Sequence, residues 1–197
     1  MSNEELDYGF LPENNKKFLD EYDNGDIMTL IKKISTENNI FESLPERFIF
    51  TTGAGGWHTE INLKKDGTFT GQFIDYELMM KQVTISEFNG KFNDVKKIDE
   101  YTYSMRLEYL NLIKGEPYYQ NGLQYIYDTS TCPYGLDNAN DFMIYLPGIS
   151  IANLPQDFIN WTTGHISAKS LQKVLPDGYY GIYNVGGKEG FIGKFDY

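Results

Sequence analysis

The chain has 197 residues, of which 41% are apolar and 16% aromatic, and its 28 acids outnumber 17 basic residues for a net charge of −11. That length suits one domain, or one domain with a small appendage. A surface this acidic repels phosphate backbones and anionic lipid, so neither nucleic acid nor a membrane is an expected partner.

The charge is concentrated at the start. Residues 1–26 hold eight acids (Glu4, Glu5, Asp7, Glu13, Asp20, Glu21, Asp23 and Asp26) against Lys16 and Lys17. Such a stretch reads as a solvated helix surface or as a docking surface for a basic protein partner. In "DNGDIMTLIKKISTENN", Ile27, Leu30, Ile31 and Ile34 recur at i, i+3, i+4 and i+7, which makes one helix face. Asp23 to Asp26 supply N-caps and a favourable charge at its start. A shorter helix over Glu13–Tyr22, with Phe18 and Leu19 as its contacts, precedes it. Residues 1–46 therefore read as an N-terminal helical segment packed on the domain that follows, ending at the "SLPE" of Ser43–Glu46.

From Arg47 the period changes to two. Trp57, Thr59, Ile61 and Leu63 alternate with polar residues, as do Tyr101, Tyr103, Met105, Leu107 and Tyr109. Both runs predict half-buried strands. The stretch "QVTISEFNGKF" predicts a third, whose apolar phase slips between Ile85 and Phe88, as a bulge there would produce. "QYIY", "DFMIYL", "GYYGIYNV" and "EGFIGKF" complete the set, with Gly186-Gly187 turning the last hairpin. Residues 111–140 are turn-rich and predict long loops around a short strand.

One hairpin can be read in detail. A two-residue Asp66-Gly67 loop would set Ile61 and Leu63 opposite Thr70 and Gln72. A three-residue loop, Lys65-Asp66-Gly67, sets Leu63 opposite Phe69, Ile61 opposite Gly71 and Thr59 opposite Phe73. Only the second gathers the apolar residues on one face, so it is the expected register, with a type I turn and Gly67 left-handed in a glycine bulge.

Motifs for chemistry are sparse. Gly53-Ala54-Gly55-Gly56 leads into Trp57 and a strand, without the Lys-Ser/Thr and helix that a phosphate loop needs. The only histidines, His58 and His165, have no ligand spacing, and Cys132 stands alone, so neither a disulfide nor structural zinc is expected. Asp137, Asn138, Asn140 and Asp141 offer oxygens in a loop that lacks the calcium-hand pattern, and loop capping explains them as well. Pairs such as Asp75/Glu77 and Asp99/Glu100 leave a hydrolase reading open without supplying its geometry. No cofactor, metal or catalytic residue is assigned. MSNEELDYGF has no basic or apolar leader character, and no run reaches the ~20 apolar residues of a spanning helix. The expectation is a soluble cytoplasmic protein, although a secreted protein trimmed of its leader reads the same.

Phe50, Gly53, Ala54, Gly55, Trp57, Thr59, Ile61, Leu63, Asp66, Gly67, Thr68, Phe69, Gly71, Phe73 and Asp75 resemble a family of uncharacterised bacterial proteins with the pattern G-A-G-x-W-x-T…D-G-[ST]-F-x-G. "FNGKF", "YTYSM" and "YGIYNV" extend the likeness across about residues 48–195. That family brings no known activity. Its relatives often carry a histidine before the aspartate and a longer glycine-rich loop after it, where this chain has Ile74 and "ELMMKQ". A broader likeness is to lipocalin-type barrels, which open their first strand with G-x-W, here Gly55-Gly56-Trp57. In those proteins the tryptophan plugs one end beneath an arginine of the last strand, a place only Lys188 or Lys194 can take here.

The reading is a mainly β protein with N-terminal helices (α+β), in which residues 47–197 form an antiparallel lipocalin-like barrel or strongly curved sheet. The expected function is a non-enzymatic binding module for a small apolar or aromatic ligand, with Trp57, Phe69, Phe73, Tyr103, Met105 and Tyr183 as candidate ligand-binding residues. These aromatics also suit a filled core. An acidic protein-protein interaction domain and a carboxylate-pair hydrolase are the alternatives.

Overall fold

The change of period at Arg47 marks the first strand of a closed barrel. The computed structural model describes residues 39–52, 55–162, 165–167, 170 and 173–195. The chain divides into two compact units, Met1–Ile40 and Phe41–Tyr197. The helices expected at Glu13–Tyr22 and around Ile27–Ile34, and the acidic docking surface over residues 1–26, lie outside the described residues.

Ten strands follow in order: β1 (Arg47–Thr51), β2 (Trp57–Leu63), β3 (Thr68–Glu77), β4 (Gln82–Lys97), β5 (Thr102–Ile113), β6 (Tyr118–Gln120), β7 (Leu123–Tyr127), β8 (Asp141–Tyr145), β9 (Tyr179–Asn184) and β10 (Glu189–Lys194). Eight of them close an antiparallel barrel in the order β1, β2, β3, β4, β5, β8, β9, β10, with β10 returning to β1 through Phe48↔Gly193 and Ile49↔Ile192. The hairpin β6–β7 is an insertion between β5 and β8. Its second strand runs parallel to the start of β4, pairing Gln82 with Gln124 and Ile85 with Tyr127.

The three-residue loop is present. Leu63 pairs with Phe69, Ile61 with Gly71 and Thr59 with Phe73. Gly67 has φ +80°, its N–H donates to the Lys64 carbonyl at 3.0 Å, and the Lys64 N–H donates to the Thr68 carbonyl at 2.8 Å.

Two register expectations are corrected. The β3–β4 ladder runs from Glu77↔Gln82 to Thr68↔Lys91 with no bulge between Ile85 and Phe88. The apolar phase slips because the strand changes which face it buries. Ser86, Phe88 and Phe92 point into the barrel. Val83 and Ile85 point outward beside Tyr125 and Tyr127, and are also buried. Two irregularities lie further on, in the β4–β5 ladder: Asn93 pairs with Arg106 but Lys96 with Ser104, and Lys91 pairs with Tyr109 but Phe92 with Leu107, which leaves Glu108 over. That extra residue sends Tyr109 to the outer face while Tyr103, Met105 and Leu107 keep the inner one.

The sheet supports two cores. Inside, Phe48, Phe50, Phe69, Phe88, Phe92, Phe142 and Phe191 are each at most 1% exposed. Eight strands leave an interior just wide enough for side chains to fill. Outside, the short helix α1 (Gln156–Thr162) covers β8–β10. Its Phe158 lies against Gly181 and Gly190 and joins Tyr145, Ile149, Leu154, Ile166, Leu175, Tyr183 and Ile192 in a second cluster. At seven residues, α1 is too short to show a helical period in the sequence. Among the described residues it is the only α-helix, and no helix there is long and apolar enough to cross a membrane.

Candidate functional site

A closed barrel has two ends, and here they are sealed differently. At the end where β2 turns into β3, a 3-10 turn (Ile40–Ser43) brings in Phe41 and, just after it, Leu44, which are 8% and 4% exposed. The Phe41 ring lies against Gly67. The opposite end, where β2 begins with Trp57, is sealed by the chain between β7 and β8.

That segment, residues 128–140, is folded into the mouth by inward-facing polar groups. Ser86 donates its hydroxyl to the Asp128 carbonyl at 2.7 Å, and Thr59 donates to the Tyr134 carbonyl at 2.6 Å. Asn184, fully buried, donates through Nδ2 to the carbonyls of Gly135 at 3.2 Å and Asp137 at 2.7 Å. Its Oδ1 accepts the N–H groups of Gly186 and Gly187, so one amide ties the plug to the β9–β10 turn. Gly135 has φ +93°, and a Cβ there would stand 2.4 Å from the Phe191 ring. Glycine is thus required twice, by backbone angle and by space. Leu136, which follows it, is 1% exposed.

Aromatic rings fill the remaining mouth. Phe50 meets Trp57 at 5.1 Å and Trp161 at 4.8 Å between centroids, both edge to face. Tyr134 meets Trp57 and Phe73 at 5.0 Å each, and the two tryptophans are 6.4 Å apart. Trp161 hangs from α1 and donates Nε1–H to the Lys188 carbonyl at 3.2 Å. Trp57 and Trp161 are half-buried and Tyr134 is 39% exposed, so the cluster keeps an accessible edge. Asp75 pairs with Trp57 across the β2–β3 ladder and borders the same opening.

The ionisable groups of the plug are shifted by burial. Glu189 accepts the Gly135 N–H at 2.8 Å. Burial raises its carboxyl above the usual range against that hydrogen bond, and nearby Asp137 raises it further. Burial also raises Asp137. The Cys132 thiol is pushed up to about 11, first by burial and then by Asp137 and Glu189. It stays protonated at neutral pH and donates to the Leu136 carbonyl at 3.1 Å, an anchor rather than a thiolate nucleophile.

The structure divides the candidate ligand-binding residues. Trp57 and Phe73 are in the mouth. Phe69, Tyr103 and Met105 face inward deeper in the barrel or at its far end, with Phe69 and Met105 1% exposed. Tyr183 pairs with Met143 and Gly190 and faces outward under α1, so it is removed from any lumen. Trp57 opens the second strand rather than the first, and Lys194, on the outer face at the far end of β10, cannot cover it. Of the acidic pairs, Asp99 accepts the Tyr101 N–H in a turn. Asn140 and Asp141 bond to each other and to Arg106. Among the described residues no group of three or more His, Cys, Asp or Glu is placed to hold a metal ion. No protein-family model matches the chain, and no curated protein or solved structure does.

Trp161, Tyr134 and Asn184 were not legible as site residues. Trp161 and Trp57 lie in similar short segments, but more than a hundred residues separate them and no period links them. A signal did exist in "CPYGLDN": an apolar Leu136 inside a turn-rich loop marks a loop that docks.

Proposed function

We propose that the protein is a non-enzymatic binding module that holds a small apolar or aromatic molecule at the mouth of its barrel. The observation that carries this reading is the half-exposed cluster of Trp57, Trp161 and Tyr134 over Phe50 and Phe73, at the one end sealed by polar anchors. Ligand sites combine an aromatic lining with a few fixed polar groups, and Asp75 supplies one beside Trp57. The phenylalanine-filled interior moves the site from the lumen to the rim. A relation to the bacterial G-A-G-x-W-x-T family, and a looser one to lipocalin-type barrels, belongs to this proposal; the eight-strand antiparallel closure is in keeping with the second.

Both tryptophans of the chain stand in this cluster, so tryptophan fluorescence, excited at the red edge where the tyrosines do not absorb, reports on the mouth. Titration with 8-anilinonaphthalene-1-sulfonate is expected to quench it saturably, and Tyr134→Ala is expected to weaken the probe by about threefold to tenfold, or ~1 kcal/mol for one lost aromatic contact. Quenching that never saturates, or saturates equally in Tyr134→Ala, overturns the reading.

A further inference from the structure

On the outside of the barrel, a groove of about 280 Å³ runs between β1, β10 and the chain after α1. Its floor is Ile49 and Ile192, which pair across the β1–β10 seam. Tyr179 and His165 form its walls, and Arg47 and Lys194 stand at its rim. The groove is thus apolar below, aromatic at the sides and cationic at one edge.

The charges there are local. Arg47 is held by Glu60, with Nε at 2.8 Å and Nη2 at 2.7 Å from Oε2, which fixes the guanidinium and offsets its charge. Lys194 has no ion-pair partner among the described residues. The net charge of −11 opposes an anion here only weakly, because at physiological salt the fields of distant charges fade over about 8 Å and the nearby groups decide. His165 is set apart in another way. Burial lowers its pKa, keeping the imidazole neutral at pH 7, and its Nε2 is enclosed with no hydrogen-bond partner among the described residues.

We infer that this groove binds a small organic monocarboxylate with an apolar body, its carboxylate at Lys194 and its apolar part on Ile49, Ile192 and the two rings. An inorganic anion would leave the floor unused, and a neutral apolar molecule would leave Lys194 unanswered. The inference is independent of the mouth, because it uses a different face of the sheet.

The chain has two histidines, so their imidazole C–H signals in NMR resolve the test. His58 lies on β2, outside this groove, and serves as the internal control. Adding benzoate to the full chain is expected to shift the His165 signals saturably at millimolar concentration and leave those of His58 in place. Benzamide and inorganic phosphate are expected to bind at least several-fold more weakly, and Lys194→Gln to weaken benzoate about fivefold to tenfold. Lys194 is exposed, so that variant keeps its fold. The inference is overturned if both histidines drift together, if benzamide or phosphate matches benzoate, or if Lys194→Gln binds as wild type.

Discussion

The two ends of the barrel solve the same problem with opposite chemistry. At one end a single short turn covers the strands with the apolar side chains of Phe41 and Leu44. At the other, residues 128–140 enter the mouth and bring backbone carbonyls and N–H groups that must all find partners. Thr59, Ser86, Asn184 and Glu189 exist on the inner face to meet them. The second arrangement is the costlier to build. It also gathers both tryptophans and the shifted carboxyls in one place. An end that only had to be shut would resemble the first, and this difference supports placing function at the plug.

The contrast can be broken from either side. Phe41→Ala is expected to have the largest effect, about 3 kcal/mol lost in denaturant melts, as for other buried phenylalanines. Its native fluorescence should stay that of the wild type, because no tryptophan is near. Asn184→Ala is expected to cost about 2 kcal/mol through carbonyls and N–H groups left without their amide, and to shift native tryptophan emission to the red as the plug loosens. If both variants alter emission alike, the two ends are not separate devices. The smallest effect belongs to Glu189→Gln. A carboxyl raised in the fold above its usual 4.5 takes up a proton more readily folded than unfolded, so the wild type gains stability as pH falls through the raised value towards 4.5. The glutamine keeps an acceptor for Gly135 without the buried charge. Its Tm should therefore exceed the wild type's at pH 7, with the advantage gone by pH 4. An equal difference at both pH values would show that charge is not the cause.

What was legible follows from what is local. The β2–β3 hairpin could be read to the residue because one register alone puts Leu63, Ile61 and Thr59 opposite Phe69, Gly71 and Phe73, and neighbouring strands settle it between themselves. The bulge misplaced in β4 shows where that reasoning ends. Val83 and Ile85 are buried on the outer face, and alternation cannot tell which of two faces is covered. Tyr183 failed in the same way, since α1 supplies a second core outside the sheet. The mouth was hidden for a further reason: Trp57, Tyr134, Trp161 and Asn184 come from four distant segments, and only the closed barrel makes them neighbours.

The seam between β1 and β10 has a consequence for how the molecule forms. The first and last strands of the barrel are hydrogen-bonded to each other, so the ring is incomplete until β10 has been made. Local contacts allow β2, β3 and β4 to pair early, but closure waits on the slowest kind of contact, one between distant parts of the chain. During synthesis the inner phenylalanines face an open trough, with β1 an unprotected edge, until the final strand arrives to cover it.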